Sequence, residues 1–89
     1  MAAVPQRDFP HIVRTPGICG GEPRVDGTRV PVRCIVIELR LQGDLAGIQR
    51  AYPGLKTRIV GEALAFYEAN REEIDHLIED NERFAYSAD

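Results

Sequence analysis

Acid–base or nucleophilic chemistry would have to come from two places in this chain. Glu72, Glu73 and Asp75 crowd His76, and Cys19 stands directly before Gly20-Gly21. A general acid or base needs a pocket that tunes its pKa, which one turn of an exposed helix does not provide. A nucleophilic thiol needs a base beside it, and none is assignable to Cys19. Gly17, Gly20 and Gly21 are not followed by the Lys-Ser/Thr pair and helix of a phosphate loop. His11 and His76 share no metal-ligand spacing with Cys19 and Cys34, so a bound metal is not expected, and no other cofactor is implied. The residue chemistry points away from catalysis and towards binding.

Two groups of residues suit binding. Lys56, Thr57 and Arg58 open a helical stretch, and Arg33, Arg40 and Arg50 precede them. Arg and Lys serve phosphates and guanine edges, while Thr serves a phosphate or a thymine methyl. At the other end, Ile74, Leu77, Ile78, Phe84 and Tyr86 stand among carboxylates. That composition fits a helix that docks on a partner protein, a dimer seam, or burial on the protein's own core. The overall charge of −3 conceals a split. Residues 1–58 hold nine Lys or Arg against five Asp or Glu, and residues 59–89 hold two against nine. Such a split reads as two different partners, as a tail that shields the front, or as an ordinary solvated helix face. A pI of about 5.3 is low for a protein that binds DNA.

The elements that must position these residues are legible from local signals. The chain has 89 residues, enough for one domain with a modest stability margin, which dimerisation would supplement. Residues 1–10 have two prolines and no periodicity and read as a flexible or extended arm. His11-Ile12-Val13-Arg14 reads as a short strand, and Asp26-Gly27 as a tight turn, giving two or three very short strands. Pro31 suits the first helical turn, Gly43 a left-handed C-cap, and Asp44 the N-cap of the next helix. That helix, residues 45–52, is expected to bury Leu45, Ile48 and Tyr52 before Pro53-Gly54 stops it. A third helix begins near Lys56 or Thr57 with an apolar face of Ile59, Val60, Ala63, Leu64, Phe66 and Tyr67. It either continues through a polar stretch, or breaks at Asn70 and restarts with Asn70 and Glu73 as a capping pair.

The expectation is a mainly α, trihelical helix-turn-helix fold, with a small N-terminal β-hairpin and a long or broken C-terminal helix. One domain spans residues 11–80, between the arm at 1–10 and an acidic, aromatic tail at 81–89. The second helix would cross the phosphates and the third would place its start in the major groove, presenting Lys56, Thr57, Arg58 and Glu62. No run of about twenty apolar residues spans a membrane, and the first ten residues lack the apolar core of a signal peptide. A cytoplasmic chain with reduced, structural thiols is therefore expected.

The stretch from Ile18 to Val32, with Gly20-Gly21, Pro23, Gly27-Thr28-Arg29 and Pro31, resembles the signature of domain-of-unknown-function family 433. Gly43, Tyr52-Pro53, Leu55 and Ala63-Leu64-Ala65-Phe66-Tyr67 extend the resemblance over about residues 11–80. The family usually has Thr where this chain has Lys56, so the cap of the long helix shifts to Thr57 or is less tightly fixed. That family is regarded as predicted VapB-type antitoxins. The resemblance implies a homeodomain-like or winged-helix-like fold. It also implies a homodimer that binds operator DNA and neutralises a toxin, commonly a PIN-like ribonuclease. The motif positions read as architectural, with Arg29 either tying carbonyls together from a buried site or touching phosphate. The competing expectation is a protein-only adaptor or dimerisation module without DNA affinity.

Overall fold

The β-branched pair Ile12-Val13 and the turn at Asp26-Gly27 build a sheet before any helix begins. In the computed structural model, which describes the backbone of residues 4–87 and the side chains of residues 5–81, three antiparallel strands lie in the order β1-β2-β3. They are β1 (Val4–Gln6), β2 (Phe9–Arg14) and β3 (Arg24–Val25). The segment expected to be a flexible or extended arm is extended in part: it carries β1, paired with β2 from Val4 opposite Arg14. The pairing is interrupted between Pro5 and Gln6, so β1 skips the middle of β2. Four α-helices follow among the described residues: α1 (Val32–Gln42), α2 (Leu45–Ala51), α3 (Thr57–Ala69) and α4 (Arg71–Ser87). The fold is predominantly helical, and no described helix is long and apolar enough to cross a membrane.

Local chemistry sets most helix ends. Pro31 is the N-cap of α1 and Gly43 its C-cap, with a left-handed φ of 83° that suits a residue lacking Cβ. The Asp44 carboxylate accepts the Gly47 amide at 2.8 Å and starts α2. Gly47 is also a packing necessity: a Cβ there would stand 2.1 Å from Cβ of Gln42 in α1. The buried side of α2 runs through Gly47 and Ile48, which leaves Leu45 at the rim, 45% exposed rather than buried as expected. The helical run does break at Asn70, but not through a capping pair. The Asn70 amide donates to the carbonyl of Phe66 at 3.0 Å, closing α3 from behind, while Glu73 turns to Arg14. Helical backbone continues past residue 80 to Ser87.

The core packs β2, β3, α1, α2 and α4 around α3. Val60, Ala63, Phe66 and Tyr67 meet Ile12 and Val25 from the sheet, Val32, Ile35 and Val36 from α1, Ile48 from α2, and Ile74 and Ile78 from α4. Phe9 meets the Phe66 ring edge-on at 5.3 Å, a geometry aromatic rings favour. Each fully buried side chain of this size contributes about 1.5–3 kcal/mol. Two arginine clamps hold α4 on this core. Arg14 makes a bidentate pair with Glu73 at 2.6 and 2.8 Å, which raises the Arg14 pKa above its ordinary value. Arg40 reaches Asp75 at 2.7 Å, and the same carboxylate oxygen accepts the Tyr67 hydroxyl at 2.7 Å.

The glycine-rich segment between β2 and α1 is organised by an arginine, but not by the expected one. Arg29 is exposed. Arg24 is 5% exposed, and its guanidinium donates to the carbonyl of Thr28 at 2.9 Å and the hydroxyl of Thr15 at 2.7 Å. Pairing explains the difference: Arg24 sits in a paired strand and is buried against Thr15 and Thr28, whereas Arg29 lies beyond the turn. Thr28 completes the unit, donating to the carbonyl of Val25 at 2.8 Å and accepting the Val30 amide at 3.0 Å. Pro23 is buried, and its carbonyl accepts the Val32 amide at 2.9 Å.

Two stability outcomes follow from these contacts. Gly47→Ala would gain about 1 kcal/mol in a free helix. Here the collision with Gln42 is expected to dominate and cost roughly 1–3 kcal/mol, seen as a lower urea midpoint. An unchanged or raised midpoint would show that the α1–α2 approach yields freely. Arg24→Ala is expected to lose about 1–3 kcal/mol by stranding the Thr15 and Thr28 acceptors, whereas Arg29→Ala stays within about 0.5 kcal/mol. Equal losses in the two variants would refute the assignment of the buried role to Arg24.

Candidate nucleic-acid interface

The corner between α2 and α3 is held by one side-chain amide. Gln49 of α2 donates to the carbonyl of Leu55 at 2.6 Å and accepts the Thr57 hydroxyl at 2.8 Å. Leu55 is buried, so the five-residue connection from Tyr52 to Lys56 is anchored at both its apolar and its polar side. Lys56 is the N-cap of α3 and makes no side-chain capping bond, and Thr57 spends its hydroxyl on Gln49. The start of α3 is therefore fixed from α2 rather than by a cap of its own. No local signal marks this tie, because Gln49 and Thr57 lie on different helices.

The structure divides the basic residues into two sets. Arg14, Arg40 and Arg71 are spent on Glu73, Asp75 and Glu68, and Arg24 is buried. Arg33, expected at a phosphate, is paired with Glu22 through Nε at 3.0 Å, with both side chains mostly buried. Burial alone would lower the Arg33 pKa, but the Glu22 hydrogen bond and charge reverse this and raise it. Among the described residues, Arg7, Arg29, Arg50, Lys56 and Arg58 make no ion pair and are exposed. Three of these, Arg50, Lys56 and Arg58, sit at the corner that Gln49 holds. Beyond Arg58, the outward side of α3 carries Gly61 and Ala65, both exposed and small.

Glu62, the first carboxylate of α3, does not share that outward side. Its two oxygens accept the His11 amide at 2.6 Å and bond the His11 Nδ1 at 2.8 Å. This tie crosses 51 residues of sequence and had no local signal. Ile74 and Ile78, expected on a partner or dimer surface, are 0% and 3% exposed and belong to the core. Leu77 is half-buried and lines a shallow groove with Asn70, Arg71 and His76. The side chains of Phe84 and Tyr86 lie outside the described residues.

The two cysteines are free and half-buried. Burial pushes the Cys34 thiol above its ordinary value, against the opposing charge of Arg33. Cys19 donates its thiol hydrogen to the carbonyl of Arg29 at 3.5 Å. No group of three His, Cys, Asp or Glu among the described residues is placed to hold a metal ion. The motif residues Gly20, Gly21 and Gly27 carry positive φ in the turns around Arg24, and Pro31 caps α1, so these positions serve the fold.

Comparison with known proteins is consistent with this architecture. Residues 12–67 match the profile of the family described as "Protein of unknown function (DUF433)". The crystal structure of a DUF433 member from Anabaena variabilis is similar, with 38% sequence identity and a TM-score of 0.68. The match covers 78% of this chain and 68% of that one. No curated protein matches. The matched residues take in the end of β2, β3, the Arg24 turn unit and the α2–α3 corner, and the chain belongs to the DUF433 family.

Proposed function

We propose that this protein is an antitoxin-type, DNA-binding regulator. In this reading it is a homodimer whose α2 and α3 act as a helix-turn-helix pair on operator DNA. Its acidic C-terminal helix meets a partner toxin, a PIN-like ribonuclease. The observation that carries the DNA half is the distribution of free cations: Arg50, Lys56 and Arg58 remain unpaired at one corner while the other helical arginines of the described residues are spent on carboxylates. Free cations at the start of a helix meet phosphates and base edges when that helix lies in the major groove. Exposed Gly61 and Ala65 let the α3 backbone come close to the groove floor. Arg33 and Arg40, engaged elsewhere, take no part.

The partner half rests on the resemblance to predicted antitoxins and on the charge of α4. With Ile74 and Ile78 in the core, the surface offered to a basic partner consists of exposed carboxylates such as Glu72 rather than an apolar stripe. Acidic side chains would there take the place of RNA phosphates on the toxin.

Two measurements test the two halves. Mobility of the chain's own upstream DNA should shift with purified protein, and the affinity should fall with salt at a log–log slope of about −3 per chain, from three phosphate contacts. Lys56→Gln and Arg58→Gln should each reduce that slope by about 1, and Gln49→Ala should weaken binding without changing the slope. Intact folding and dimerisation with no shift at low salt would favour the adaptor instead. Glu72→Lys reverses an exposed charge on α4 and leaves Ile74 and Ile78 in place, so the domain should remain folded while toxin neutralisation weakens. Full neutralisation by the folded Glu72→Lys variant would place the partner surface elsewhere.

A further inference from the structure

Glu62 stands one helical turn after Arg58, at the border between the buried and the outward sides of α3. It is the only carboxylate in the first two turns of that helix. Left pointing outward, it would place a negative charge among Arg50, Lys56 and Arg58 and oppose any polyanion there. Its side chain is instead 18% exposed, with both oxygens engaged by His11. The end of the β2–β3 ladder makes this possible. The paired residues stop at Ile12 opposite Val25, so the His11 carbonyl still accepts the Asp26 amide at 2.9 Å while the His11 amide donates to Glu62. A backbone amide and a ring nitrogen thus converge on one carboxylate from a paired strand, which holds them in place.

Resting on the nucleic-acid reading above, we infer that His11 is a positioning residue for that surface: it draws the Glu62 carboxylate off the outward side of α3 and so keeps the corner cationic. His11 touches no nucleic acid in this account and acts through Glu62. The interaction surface is then defined by what has been removed from it as much as by the three cations.

The test compares wild type, His11→Ala, Glu62→Gln and the double variant on the same upstream duplex, with circular dichroism to show that all four fold. His11→Ala keeps the backbone amide bond and removes the ring bond, so it should bind roughly three- to tenfold more weakly, because one contact instead of two holds the carboxylate back. Glu62→Gln should bind at least as tightly as wild type, and adding Glu62→Gln to His11→Ala should restore binding to within about twofold. A merely structural role for His11 predicts no such rescue. Unchanged binding by His11→Ala, or a double variant as weak as the single, overturns the inference. The amide proton of His11 in the NMR spectrum reads the tie alone: it should move upfield in Glu62→Gln. If wild type retards no DNA while that shift occurs, the DNA reading fails and the tie stands. If DNA is bound and the shift is absent, the DNA reading stands and the His11 role fails.

Discussion

A chain of 89 residues has few ways to bury a core, and here nearly all of them use one helix. Val60, Ala63, Phe66 and Tyr67 give α3 an inward side on which the sheet, α1, α2 and α4 all converge. Once that side is committed, the outward side follows from helical geometry, since residues three and four apart share a face. Arg58, Gly61 and Ala65 can only look away from the core. Glu62 falls between the two sides and needs a partner from the sheet, which His11 supplies. The cationic corner and its smooth extension are therefore consequences of how α3 is buried.

Charge in this protein is segregated along the sequence and partly reunited by the fold. Arg14 meets Glu73 across 59 residues, and Arg40 meets Asp75 across 35. These pairs are one-third to one-half exposed, so each contributes at most about 1 kcal/mol to stability. Their larger effect is geometric: they set how α4 lies across α1, α3 and β2. They also remove two arginines from any role towards an outside ligand. Among the described residues, what remains basic and unpaired on the helices is concentrated at the α2–α3 corner, and exposed carboxylates such as Glu72 lie on α4.

Features that one residue imposes on its immediate neighbours were legible in the sequence. Pro31, Gly43, Asp44 and Pro53-Gly54 each act within a turn or so of themselves, and the helix boundaries they imply match α1 and α2. The break at Asn70 was visible too, but its mechanism was not, because an Asn can satisfy the helix behind it or the one ahead. Features that depend on distant partners were hidden. Nothing near Arg33 marks Glu22 as its partner, and nothing near Glu62 marks His11. Arg24 and Arg29 are equivalent as residue types. Only the pairing of Arg24 in β3, and the absence of pairing at Arg29, sends one guanidinium inward and leaves the other in water. Leu45 shows the same limit for packing, since a single close approach at Gly47 decides which side of α2 is covered.

In the proposed reading an acidic protein binds DNA, which poses a problem of sign that the separation of charge addresses locally. Over a Debye length of about 8 Å in physiological salt, a phosphate at the α2–α3 corner senses Arg50, Lys56 and Arg58 far more than the carboxylates of α4. Those carboxylates repel a polyanion from their own side, so the same charge that lowers the pI also orients the approach. Three phosphate contacts release about three counterions, which is little for a single chain at physiological salt. Two chains on one duplex would share the second contact as an intramolecular step, with effective concentrations reaching the millimolar range. In the proposed reading, dimerisation is what turns a small, selectively unshielded cationic corner into a regulator's grip.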